Sequence, residues 1–130
     1  MPLQPHELLE LGPRDRDVAL VAADLHLRAV LHRAALQSPA ARHTALTNLF
    51  SGRPARGIVN RLMRELGPLS TQAPAFPLAT AAIAPLRAAA EAQRIGDFSP
   101  LWAGQNVASC RPMPAAELTR ELAQGLGCSI

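Results

Sequence analysis

The chain has 130 residues, 48% of them hydrophobic but only 3% aromatic, which leaves room for one domain whose core is built mainly from alanine and leucine. Thirteen arginines, no lysine and ten acidic residues give a net charge of +3, a mixed surface that does not demand nucleic acid. The pI of about 10.1 overstates the basicity, because with no Lys or Tyr almost nothing titrates between His and Arg. No apolar run approaches the ~18–20 residues that span a bilayer, no cationic start followed by an apolar stretch reads as a signal peptide, and Cys110 and Cys128 match no metal or redox spacing. The expected setting is a reduced cytoplasm.

An Ala–Leu core is a helical core and a thin one, since Ala adds little to the roughly 1.5–3 kcal/mol that a buried Leu, Val, Ile or Phe contributes. The expected fold is therefore mostly α, or α+β with a few short strands, and twelve prolines argue against long unbroken helices. Residues 1–31 read as an N-terminal segment of helical character, left without a domain assignment. Leu8 and Leu9 sit in a turn ended by Gly12-Pro13, and Asp17 could cap a helix bearing Val21, Leu25 and Leu36, with "VALV" as an alternative short strand. Ser38-Pro39 opens a short helix or turn. "HTALTNLF" has some extended character, weakened by Ala45 and Leu46.

From Pro54, Ile58, Leu62 and Leu66 recur at i, i+4 and i+8, which predicts a three-turn helix with that face buried, stopped by Gly67-Pro68. A proline-rich connector follows. The stretch "LATAAIAPLRAAAEAQRIG" predicts a second helix, broken or restarted at Pro85 and anchored by Leu78, Ile83 and Leu86. "DFSPLWAGQNVASCRPMP" reads as an irregular loop holding the single Trp. A last helix from Pro114 places Leu118, Leu122 and Leu126 on one side, and Leu118 and Leu122 are expected to be buried.

Two stretches invite a functional reading. Arg53, Arg56, Arg61 and Arg64 crowd behind a Ser-Gly turn, where free N–H groups and guanidinium ions suit a phosphate. The competing reading is a solvated face with an Arg61–Glu65 ion pair, and neither a P-loop nor a GxGxxG pattern is present. No aromatic residues alternate with these arginines to stack on bases. In "SPLWAGQN", Trp102 followed by Ala-Gly lets backbone approach a flat ligand, with Gln105 as donor and acceptor; equally, the Trp could close a small core. His6, His26, His32 and His43 have neither i,i+4 pairing nor nearby Cys or acidic partners, so no metal is expected.

The stretch "FSGRPARGIVNRLMRE", followed in order by "FPLATAAIAPLRAAAEAQRIGDF" and "SPLWAGQNVASCRPMPAAELTRELA", resembles the C-terminal portion of bacterial nitronate monooxygenases, also called 2-nitropropane dioxygenases. The resemblance covers residues 32–130, most clearly to about Ala123, and its signature residues are Ser51, Gly52, Arg53, Pro54, Arg56, Gly57 and Asn60. It implies an FMN-dependent (β/α)8-barrel enzyme with a smaller domain, which oxidises alkyl nitronates with O2 to a carbonyl compound and nitrite. Residues 51–66 would fall in the smaller domain, and Trp102, Gly104 and Gln105 would lie near the flavin and substrate.

The family's flavin-binding strands, phosphate-cradling glycine turns and histidine base all precede this block and have no counterpart here, so no residue is assigned a catalytic or confirmed flavin-binding role. The resemblance therefore implies a C-terminal part of the enzyme, without its barrel and inactive alone unless a partner chain supplies the barrel. The alternative is a non-catalytic helical protein or interaction subunit that keeps only the signature. Neither reading calls for nucleic acid or a membrane.

Overall fold

The computed structural model describes residues 27–126 and is mostly helical with two strands. The expected Gly12-Pro13 turn, the Asp17 cap, the Val21 and Leu25 face and the "VALV" alternative lie outside the described residues. A helical segment over 27–37 (α1) leads into a 3-10 turn, Pro39–Arg42. Proline occupies its first position, where a missing N–H costs nothing.

Thr44–Thr47 (β1) and Ala55–Ile58 (β2) then pair antiparallel, with Thr44 opposite Ile58 and Leu46 opposite Arg56. The run from Pro54 is thus not one helix. Ala55–Ile58 is extended, and the helix (α2) covers only Arg61–Leu66. Gly57 explains the choice: inside a helix it would cost about 1 kcal/mol, whereas here it admits another segment. A Cβ at Gly57 would lie 2.9 Å from the Leu101 carbonyl oxygen. Ile58 is buried all the same, while Leu66 is half exposed rather than part of a buried face.

Asn60 starts α2 by accepting a hydrogen bond from the Met63 amide (3.3 Å), as a good N-cap does. Gly67 stops the helix at φ 77°. After the connector, Leu78–Ala92 (α3) runs through Pro85 without the expected break, since its many alanines favour the helix on both sides of the proline. The last helix (α4), Ala115–Gly125, begins after Pro114 as expected. Its Leu118 and Leu122 are exposed, 45% and 61%, so their expected burial does not hold within the described residues.

Side chains alternate across a strand, and the hairpin accordingly separates two small apolar clusters. Ile58 packs on one side with Ala41, Leu101 and Val107. On the other side Ala45 and Val59 pack against Leu49, Phe50, Leu62 and Met63.

Candidate functional site

The 48–54 connection between the strands is fastened from beneath. Ser51 Oγ donates to the Arg53 carbonyl oxygen (2.9 Å) and accepts from the Arg53 amide (3.3 Å), closing a tight turn. Gly52 follows with φ 85°, and a Cβ there would meet Phe76 N at 2.3 Å and Pro74 O at 2.7 Å. The space beside this glycine is therefore filled by the chain's own connector. Asn48 Nδ2 donates to the Ser70 carbonyl (2.9 Å), while its Oδ1 accepts from the Ser70 amide (3.0 Å).

Each arginine of the cluster has an internal contact. The Arg53 guanidinium lies 4.4 Å from the centre of the Phe76 ring. Arg56 Nη1 donates to both the carbonyl and the hydroxyl oxygen of Thr44, each at 3.3 Å. Arg61 Nε bonds Glu65 Oε1 (2.7 Å), the i,i+4 pair expected on an exposed face, and that bond pushes the Arg61 pKa up. Arg64 Nη1 reaches the Val59 carbonyl (3.5 Å). This geometry favours the structural reading of the cluster over a phosphate cradle.

The Trp102 segment lies along the free edge of β2. Ile58 N donates to Leu101 O (2.8 Å) and Ala103 N to Arg56 O (3.1 Å), so residues 101–103 form a third, minimal rung of the hairpin. His32 Nε2 on α1 donates to the Trp102 carbonyl (2.8 Å). The indole meets Phe50 edge-on, with centroids 5.8 Å apart, yet stays 38% exposed. Gly104 and Gln105 are exposed, and a Cβ at Gly104 would touch nothing within 4 Å. Trp102 thus both closes a core edge and presents a face outward.

Sequence reasoning missed the groups behind this strap. Glu91 is only 3% exposed; its Oε1 accepts from Ser99 Oγ (2.7 Å), and its Oε2 lies 3.3 Å from Arg28 Nε. Arg87 Nε sits 3.5 Å from the same carboxylate. The i,i+4 spacing of Arg87 and Glu91 was the available signal, but nothing local marked Ser99 or His32. Among the described residues no group of three or more His, Cys, Asp or Glu could hold a metal ion, and no helix is long and apolar enough to cross a membrane.

The family model for nitronate monooxygenase matches residues 19–125, most of the chain. The chain belongs to the nitronate monooxygenase family. It is 43% identical over 96 residues to the nitronate monooxygenase of Pseudomonas aeruginosa, a match covering 73% of this chain and 27% of that protein. With the nitronate monooxygenase of Paraburkholderia phytofirmans it shares 41% identity over 101 residues, 76% of this chain and 27% of the relative. Among solved structures it is similar to nitroalkane oxidase from Streptomyces ansochromogenes, with TM-score 0.66 and 42% identity over 75% of this chain and 28% of that one. The chain therefore spans little more than a quarter of the length of these nitronate monooxygenase relatives.

Proposed function

We propose that these residues form the C-terminal portion of a cytoplasmic, FMN-dependent enzyme that oxidises alkyl nitronates with O2 to a carbonyl compound and nitrite. In this reading they supply one wall of the active site rather than the whole of it. The supporting observation is the strap itself: residues 101–103 are bonded to β2 while Trp102 stays 38% exposed and Gly104 and Gln105 are exposed. Trp102 would offer a flat apolar surface and Gln105 one donor and one acceptor to a bound molecule.

The residues of this chain do not by themselves fit FMN. A flavin phosphate needs converging backbone N–H groups or guanidinium ions. The space at the Ser-Gly turn is filled by residues 74–76, and the neighbouring arginines have contacts of their own. Among the described residues, nothing lies within 4 Å of where a Cβ on Gly104 would sit. The flavin would supply the redox chemistry; a barrel from other residues or a partner chain would have to hold it.

The test is flavin uptake. The 130-residue chain, mixed with FMN and desalted, is expected to emerge colourless, and the same residues joined to a relative's barrel are expected to retain the flavin. A fused protein that binds no FMN would contradict the reading.

A further inference from the structure

Three buried polar groups, Asn60 at the cap of α2, Glu91 of α3 and Ser99 in the bend before the strap, meet at the root of the Trp102 strap. Ser99 is 5% exposed, Asn60 4% and Glu91 3%. Asn60 Nδ2 donates to the Ser99 carbonyl oxygen at 2.9 Å, and Ser99 Oγ donates to Glu91 Oε1 at 2.7 Å. The Asn60 side chain is thereby used twice, since its Oδ1 also caps α2. Glu91 belongs to the last turn of α3 and faces Arg28 from α1 and Arg87 from its own helix.

We propose that Asn60 and Glu91 are positioning residues: acting through Ser99, they set where Trp102 and Gln105 face. The proposal rests on the reading of residues 102–105 as an active-site wall for its functional meaning, but not for its geometry.

The physical argument concerns slack. After Ser99 comes Pro100, whose ring fixes its own φ, so an anchored Ser99 leaves little freedom before Leu101 enters its bond with Ile58. Among the described residues the strap's hydrogen bonds are two β-type bonds and the His32 contact, beside the apolar packing of Leu101 and Trp102. Apolar packing is non-directional and would tolerate a sliding strap. Hydrogen bonds to a buried carboxylate and a buried amide do not, because a slip would leave those groups unsatisfied. Arg28 Nε and Arg87 Nε lie 3.3 and 3.5 Å from the same carboxylate, so Glu91 is itself held in place by contacts from two helices.

Two adjacent amides separate positioning from general support. Ile58 N–H bonds the strap at Leu101 O, whereas Val59 N–H bonds His43 O on the opposite edge. The test is hydrogen exchange, followed residue by residue, in the full 130-residue chain without cofactor or substrate. Ser99→Ala deletes the link to Glu91. Asn60→Asp keeps an oxygen for the α2 cap but removes the donor to Ser99.

In both variants the Ile58 and Ala103 amides are expected to exchange faster by about five-fold or more, the factor one net hydrogen bond is worth, with Val59 unchanged. Ser99→Thr, which retains the hydroxyl, should restore wild-type exchange. If Ile58 and Val59 accelerate by the same factor in Ser99→Ala, or if neither changes, these residues do not position the strap. Because no flavin or nitronate enters the measurement, this outcome is independent of whether the functional reading holds.

Discussion

Gly52 lies directly against the backbone of Phe76: a Cβ on Gly52 would come within 2.3 Å of the Phe76 nitrogen. The turn between the strands and the connector before α3 are thus in contact through a residue that must lack a side chain. Thr80 Oγ1 donates to the Phe50 carbonyl (2.9 Å) and Arg53 covers the Phe76 ring, so the same junction is fastened on either side.

Gly52→Ala should therefore be among the most damaging single substitutions in the chain. It combines a positive φ with a clash against main chain that cannot swing away, at roughly 3 kcal/mol in all. A thermal melt followed by circular dichroism measures it. A melting temperature equal to wild type would show that this contact is not made in solution.

Asn48→Asp should loosen the connector by removing the donor to the Ser70 carbonyl while keeping the acceptor for the Ser70 amide. One lost, part-buried hydrogen bond predicts about 1 kcal/mol, and limited proteolysis between 68 and 77 should speed up. Unchanged proteolysis would show that the Asn48–Ser70 pair does not restrain the connector.

Arg56→Ala removes the donor that spans the hairpin to Thr44. Placed in a full-length relative at the matching arginine, it should lower stability by about 1 kcal/mol and leave the nitronate KM nearly unchanged. A raised KM with an unchanged melting temperature would restore the phosphate-site reading of the cluster.

Much of this was legible in the sequence, and the failures have physical causes. The Ser38-Pro39 turn, the Gly67 stop and the Pro114 helix start follow from backbone rules that need only neighbouring residues. Ile58, Leu62 and Leu66 misled because four-residue spacing over so short a stretch fits both a helix and a strand that turns into one. Gly57 beside β-branched Ile58 and Val59, followed by the good N-cap Asn60, was the signal for strand, then helix. The burial of Leu118 and Leu122 was misjudged for another reason: amphipathic spacing shows which face is apolar, not whether anything covers it.

The candidate site divides the same way. Trp102, Gly104 and Gln105 read as an irregular loop, with Trp102 either a flat surface or the closure of a small core; in the fold Trp102 bridges to Gly57 and packs on Phe50, while Gly104 and Gln105 are exposed. That Leu101 and Ala103 pair with β2, and that Ser99, Asn60 and Glu91 meet behind them, depends on contacts between distant parts of the chain and leaves no local pattern.

If residues 102–105 form one wall of a nitronate-oxidising site, this chain needs a barrel to act. Oxygen uptake by the isolated 130-residue protein, with FMN and propyl-2-nitronate added, tests it most directly. Turnover requires a flavin held in place, and the residues of this chain do not fit one, so uptake should not exceed that of FMN and nitronate without protein. Turnover above that background that disappears on Gln105→Ala would contradict the account.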